Sequence, residues 1–163
     1  MNNSLIQVKK KIYDKCNFQP TDVTIDKESQ EYEGCQFKLD HKNIIFRSSK
    51  ITPKKIGQFV TFWKRNNKGI TEPFFETDTF DYYVINVQTE NQLGQFVFPK
   101  SVLIQKGIVS TSKKEGKRGF RVYPIWDKTV SKQAVETQRW QLNYFFDVNE
   151  DIDLDFIKKL YSN

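Results

Sequence analysis

The chain has 163 residues with 28% charged and 15% aromatic side chains, and its formal net charge is +6. This length and aromatic content fit one folded domain with an apolar core and exclude a basic disordered tail, which would carry few aromatic residues. Because no apolar run approaches the ~18 residues of a membrane span and no signal-peptide pattern opens the sequence, we expect no membrane attachment and a cytoplasmic location.

The first predicted element is an amphipathic helix with a cap at Asn3 or Ser4. Helical spacing joins four apolar residues on one face: Leu5, Val8, Ile12 and Cys16. A β-hairpin follows, formed by residues 31–40 and 43–50 around a turn at His41 and Lys42.

A second helix is predicted to begin at Pro53, because proline suits the first turn of a helix and Thr52 can cap it. Its apolar face would hold Ile56, Phe59, Val60 and Trp63. This helix would present four cations to solvent: Lys54, Lys55, Lys64 and Arg65.

The C-terminal half alternates predicted strands and helices. Residues 81–87 form the clearest strand, with residues 95–98 as its antiparallel partner. A short helix over 100–106 lies between Pro99 and Gly107, and a strand is predicted over 119–125. Ser131 caps a helix that runs to about Phe146, and Asp151 or Asp153 caps a last short helix. The pattern predicts a single α+β domain over 1–163 with a mixed or antiparallel sheet.

A basic loop precedes the strand at 119–125. The loop and the start of that strand together carry five cations spaced by glycines and flanked by aromatic residues: Lys113, Lys114, Lys117, Arg118 and Arg121. Cations neutralise phosphates, glycines allow close backbone approach, and aromatic rings stack on unpaired bases. The loop therefore suggests a polyanion ligand, and the alternative is a solvated hairpin loop with ordinary core aromatics.

The far end of the hairpin gathers polar side chains. A two-residue turn at 41–42 would place Glu33 opposite Lys50 and Cys35 opposite Ser48. This layout resembles the PD-(D/E)XK nuclease fold, in which an acid on one strand and an acid-x-Lys pattern on the next hold magnesium and activate water. The resemblance implies a restriction-endonuclease-like mixed sheet flanked by helices.

The match to that nuclease site is incomplete. Glu33 stands for the first acid, Lys50 for the lysine and Gln58 for a polar residue on the next helix, but Ser48 stands where the second acid belongs. A hydroxyl is a poor ligand for a hard divalent cation. Three interpretations stay open: a cross-strand ion pair, a degenerate nuclease site, and an active nuclease that recruits another acid.

The whole chain also resembles the bacterial MepB family. The resemblance depends on 46–50 with 52–60 and 63–65, on 94–100 with 106–108, and on 117–124 with 126–127. It implies a restriction-endonuclease-like fold and an association with multidrug-efflux genes, but no agreed biochemical activity.

Other chemistry is not supported by the sequence. Walker A and dinucleotide-binding patterns are missing, so no cofactor is predicted unless magnesium serves the nuclease alternative. Cys16 and Cys35 are isolated and His41 is the one histidine, which argues against a zinc site, a disulfide framework or a nucleophilic triad.

The leading hypothesis is a nucleic-acid-binding protein with a degenerate or absent metal site. The cations named above would contact phosphates, and three aromatic residues would stack on bases: Trp63, Tyr123 and Trp126. An active magnesium-dependent nuclease is the first alternative. A small-molecule or protein-binding accessory of drug efflux, with an aromatic pocket, is the second.

Overall fold

A computed structural model describes residues 2–148 and 151–162 of the chain. The N-terminal half contains helix α1 (Asn3–Val8), which continues as a π-helical segment (Lys9–Tyr13), and then β1 (Pro20–Ile25), a 3-10 segment (Lys27–Tyr32), β2 (Cys35–Leu39), β3 (Lys42–Ser48), β4 (Lys50–Ile51), β5 (Gln58–Thr61), β6 (Trp63–Arg65) and β7 (Thr71–Pro73). The C-terminal half contains β8 (Tyr82–Gln88), β9 (Leu93–Pro99), α2 (Lys100–Gln105), β10 (Gly119–Val122), α3 (Lys132–Gln141), a 3-10 turn (Leu142–Tyr144), β11 (Phe145–Asp147) and α4 (Leu154–Leu160).

Six strands form the central sheet, in the order β1-β2-β3-β8-β9-β11. Neighbouring strands are antiparallel except β3 and β8, which run parallel. A smaller sheet has the order β10-β5-β4, and β6 and β7 form a two-stranded ribbon. The expected α+β fold with a mixed sheet flanked by helices is confirmed. No helix within 2–148 and 151–162 is both long and apolar enough to cross a membrane.

Two apolar cores lie on the two faces of the central sheet. Alternation along β2 and β3 sends Cys35, Phe37 and Phe46 to one face, where they pack with residues of α1 and α4. Ile45 and Tyr83 point to the other face and pack with the smaller sheet, α2 and the residues around α3. The elements on either side of the predicted basic loop, α2 and β10, therefore pack on this second face.

Most predicted elements are present. The N-terminal helical segment buries Leu5, Val8 and Ile12, its cap is Asn2 instead of Asn3 or Ser4, and Cys16 is buried in the turn that follows it. The strand at 81–87 with its antiparallel partner corresponds to β8 and β9. Pro99 and Gly107 bracket α2, and Gly107 has a φ of +72°, a left-handed value that favours glycine at the end of a helix. Ser131 and Asp153 cap α3 and α4 by accepting hydrogen bonds from backbone amides.

The helix predicted from Pro53 is wrong. Residues 53–57 form turns, and 58–61 and 63–65 are strands β5 and β6. Gln58 and Val60 are buried while Phe59 and Thr61 are half-buried, which is the alternation of a strand. β5 pairs with β10, whose residues lie about 60 positions later in the chain, and this pairing supplies backbone partners that local helical spacing does not reveal.

Two boundaries also differ from the prediction. The hairpin turn consists of Asp40 and His41, so Cys35 lies opposite Phe46 instead of Ser48, a shift of two residues that leaves each side chain on its expected face. Asp40 adopts the left-handed φ of +54° that this tight turn requires and that aspartate tolerates. Helix α3 ends at Gln141, because Phe145–Asp147 pair with β9 as β11.

Candidate nucleic-acid interface

A basic cleft of about 370 Å³ lies between β10 and α3. Its cations are Lys106, Lys117 and Arg121, and its aromatic residues include Tyr123 and Trp140. Asp and Glu contribute no side chain to the lining of this cleft. The cleft thus combines positive charge with aromatic surface.

Gln141 fixes the geometry of the cleft. Its side chain is fully buried, and its Oε1 accepts a hydrogen bond from the Tyr123 backbone N–H at 2.9 Å while its Nε2 donates to the Arg121 carbonyl at 3.0 Å. These bonds satisfy two main-chain groups just where β10 ends. The end of α3 is therefore tied to the strand that carries Arg121.

The three cations of the cleft have no carboxylate within ion-pair distance among residues 2–148 and 151–162. The Lys106 ammonium lies 5.3 Å from the centre of the Trp140 ring, a cation–π arrangement. Arg121 donates to the Thr52 hydroxyl and to the Ile56 carbonyl, both neutral acceptors. Burial raises the pKa of Asp127 and Arg121 acts against that shift, so this carboxylate partly compensates the charge of Arg121. The positive charge of Lys106 and Lys117 is available to an anionic ligand.

The turn that bears Lys54 and Lys55 borders the cleft. Arg121 holds both ends of the turn through Thr52 and Ile56. A Cβ added to Gly57 would lie 2.7 Å from the Tyr123 ring, so the turn packs directly on that ring. Lys54 and Lys55 are exposed, and they extend the basic surface beyond Arg121.

Lys113 and Lys114 lie on a different depression, a pocket of about 580 Å³ that also includes Lys64. Lys64 is paired there with Asp78 at 2.6 Å and with Glu72 at 3.6 Å. Glu115 lines the same pocket and pairs with Arg118 at 3.3 Å. Because carboxylates neutralise much of its charge, this pocket favours a polyanion less than the basic cleft does.

Three other predicted residues lie away from the basic cleft. Arg65 pairs with Glu28 and lies 5.5 Å from the Trp63 ring. Both Trp63 and Arg65 line a third pocket. Trp126 packs edge-on against Phe145 with ring centres 5.8 Å apart. The structure does not bring Trp63, Arg65 and Trp126 to the cleft that contains Tyr123.

The predicted pairing of Glu33 with Lys50 is wrong. Glu33 follows the 3-10 segment with a left-handed φ of +50°, and its carboxylate accepts hydrogen bonds from the backbone N–H and the hydroxyl of Ser4. Lys50 pairs with Glu31 at 3.2 Å, and both side chains are exposed. The register shift of the hairpin and the early end of β2 separate the two residues.

Ser48 and Gln58 also lack a nuclease arrangement. The Ser48 hydroxyl is buried, with no hydrogen-bond partner among the described residues. Gln58 lies on β5, where its Oε1 accepts from the Ser49 hydroxyl at 2.7 Å and its Nε2 donates to the Gln88 carbonyl at 3.2 Å. Over the described ranges, no three His, Cys, Asp or Glu side chains cluster in a way that could hold a metal ion.

Sequence reasoning missed Lys106, Trp140 and Gln141. A signal for Trp140 was present, because Gln133, Thr137 and Trp140 recur at i, i+4 and i+7 and so share one face of α3. Lys106 gave no local signal, since its position beside Trp140 depends on tertiary packing.

Comparison with known proteins gives two kinds of match. A family model described as MepB-like matches residues 26–147. A solved structure described as the crystal structure of MepB superposes with a TM-score of 0.80 at 36% identity and covers 93% of this chain and 100% of the other. A bacterial homing endonuclease superposes with a TM-score of 0.44 at 15% identity and covers 85% of this chain and 84% of the other. No protein with a curated functional description matches the chain.

Proposed function

The chain belongs to the MepB-like family, and we propose that it binds nucleic acid through the basic cleft without metal-dependent cleavage. The cleft cations contact phosphates, and the aromatic residues contact bases. The observation that carries the proposal is the presence of three cations beside Tyr123 and Trp140, with no acidic side chain in the lining.

Nucleic acid is favoured over a small anion because basic residues continue beyond the cleft. Lys54 and Lys55 extend the surface on the side of Arg121. A polymer can contact these lysines and the cleft together, whereas a single small anion cannot. Four to six phosphate contacts would give a slope of about −3 to −5 for the logarithm of affinity against the logarithm of salt concentration.

We propose that the protein does not cleave nucleic acid because the acidic residues that a nuclease site would need are engaged elsewhere or missing. Glu33 is engaged with Ser4, and the second acid of a nuclease site is replaced by Ser48, whose hydroxyl is buried. Asp78 is engaged with Lys64 and with the Phe75 backbone. Cleavage by a magnesium-activated water would need carboxylates that are free to hold the cation.

The test is a titration of labelled single- and double-stranded DNA and RNA at several salt concentrations, with and without magnesium or manganese. We expect binding that weakens steeply with salt and oligonucleotides that stay intact. A salt-independent affinity, or no binding at low salt, would reject the electrostatic proposal. Cleavage that depends on the added metal would establish the nuclease alternative.

A further inference from the structure

This inference rests on the proposed function and specifies which form of nucleic acid the basic cleft accepts. We infer that the cleft takes an unpaired nucleotide, so that the protein prefers single-stranded over double-stranded nucleic acid. Its base stacks on Tyr123, and its flanking phosphates contact Lys106, Lys117 and Arg121.

The concave shape of the cleft favours an unpaired base. A volume of about 370 Å³ lies in the range of sites for small organic ligands. Duplex DNA is read by convex elements that enter its grooves, and a base inside the stack cannot enter a pocket unless it is flipped out. An unpaired base can enter a pocket without losing a pairing partner.

The aromatic lining identifies the stacking residue. The Lys106 ammonium already lies over the Trp140 ring. Tyr123 lines the cleft and packs against the backbone at Gly57 on the side of the turn. Tyr123 is therefore the ring we assign to base stacking, and the turn at Gly57 supports it from behind.

The polar lining fits the edge of a base. Gln133 and Thr137 lie on α3 and line the cleft, and their side chains make no hydrogen bond within the described part of the chain. An amide and a hydroxyl can each donate and accept, so they can pair with the edge of any base. The site accordingly favours unpaired nucleotides as a class, with weak sequence choice.

The experiment compares a 12-residue oligothymidylate with a DNA duplex of the same length by fluorescence anisotropy at one salt concentration. We expect the single strand to bind at least about tenfold more tightly, in keeping with the stacking of unpaired bases on aromatic rings. Tyr123→Leu should weaken single-strand binding about tenfold and duplex binding less than about twofold. The matched control Tyr123→Phe keeps the ring and should bind like the parent.

A second variant fills the cleft without changing charge or Tyr123. Thr137→Trp should weaken single-strand binding by a similar factor, whereas Val130→Trp, at a position that is 77% exposed and outside the lining, should not. Thermal unfolding of each variant establishes that it is folded.

Equal affinity for both oligonucleotides, with neither Tyr123→Leu nor Thr137→Trp reducing it, would overturn the inference. If the double variant Lys106→Ser with Lys117→Ser then weakened the binding of both oligonucleotides, the proposed function would still stand. If neither oligonucleotide bound at low salt, the proposed function itself would fail.

Discussion

The carboxylate of Glu33 caps helix α1 through Ser4, accepting from the Ser4 backbone N–H at 3.0 Å and from its hydroxyl at 2.7 Å. The Asn2 side chain completes this connection, since its Nδ2 donates to the Glu33 carbonyl and its Oδ1 accepts from the Leu5 amide. An acid 29 positions along the chain thus satisfies the start of the first helix. A residue that resembles a nuclease acid in sequence serves here as a structural cap.

Glu33→Ala should destabilise the fold. The variant loses two hydrogen bonds to a carboxylate at a helix N-terminus, and we expect about 1–2 kcal/mol less free energy of unfolding. For a domain of this size the melting temperature should fall by about 2–4 °C per kcal/mol, measured by circular dichroism. Glu31→Ala is the matched control, because Glu31 is 79% exposed and its ion pair with Lys50 is solvated. An unchanged melting temperature for Glu33→Ala would contradict the capping role.

Gln141→Leu should be more disruptive, because it leaves the Tyr123 amide and the Arg121 carbonyl without their partner. Each unsatisfied buried group costs about 1–3 kcal/mol, so for the two groups we expect a total loss of about 2–6 kcal/mol in urea unfolding. Gln105→Leu, at an exposed position of α2, provides the control with the same change of side chain. The two variants losing equal stability would show that the Gln141 bridge is unimportant.

Local pattern was sufficient for the hairpin and insufficient for the segment after it. Alternation along 35–48 predicted which side chains share one face of the hairpin, although the turn lies one residue earlier than expected. Around Ile56, Phe59, Val60 and Trp63 the apolar spacing suited a helix. The strand β5 forms because β10 offers it a ladder of backbone partners. No local pattern contains that long-range partner, so tertiary pairing overrode helical spacing.

The candidate site was also predictable only in part, because some of its residues meet only through long-range packing. Lys117, Arg121 and Tyr123 were recognisable from the composition of the basic loop, and the structure places all three in one cleft. Their partners are Lys106, which directly follows α2, and Trp140 of α3, and both meet β10 only in the folded chain. Lys64 was expected to contact phosphates, but Asp78 and Glu72 neutralise it through contacts that sequence spacing does not show.

The protein should lose stability in alkaline solution. Burial raises the pKa of the Cys35 thiol from 9.0 to about 12, and burial likewise raises the pKa of Tyr13 and Tyr161. Because the folded pKa of Cys35 lies above the unfolded one, its contribution is fully present below pH 9.0 and is lost as the pH rises toward 12. Melting temperatures between pH 8 and pH 11 should fall less steeply for Cys35→Ala than for the parent. Equal slopes for the two proteins would exclude a contribution from this thiol.

Ser48→Asp should not create a metal site. The new carboxylate would replace a buried hydroxyl that has no hydrogen-bond partner in the described ranges, while Glu33 stays engaged with Ser4. We expect a loss of stability at neutral pH of several kcal/mol that decreases under acidic conditions, because protonation removes the buried charge. Manganese should restore none of the lost stability, as measured by thermal unfolding. The control Ser101→Asp, at an exposed position of α2, should melt like the parent. A manganese-dependent rise in the melting temperature of Ser48→Asp alone would instead support the degenerate nuclease site.

Lys106→Ser combined with Lys117→Ser should weaken nucleic-acid binding for all sequences alike. Both ammonium groups lie in the basic cleft without a carboxylate partner among residues 2–148 and 151–162, so each is available to a phosphate. Losing two phosphate contacts should reduce the salt slope by about 1.4 to 1.8, measured by anisotropy over a series of salt concentrations.

The matched control for these substitutions is Lys10→Ser with Lys11→Ser, which removes the same net charge from the exposed surface of the N-terminal helical segment. That segment packs on the opposite face of the central sheet. If binding depended only on overall charge, the two double variants would lose affinity equally. We expect the loss to be concentrated in the cleft variant, because the salt slope reflects counterions released from phosphates that the cleft cations contact directly, whereas charges beyond about 10 Å are screened at 0.1 M salt.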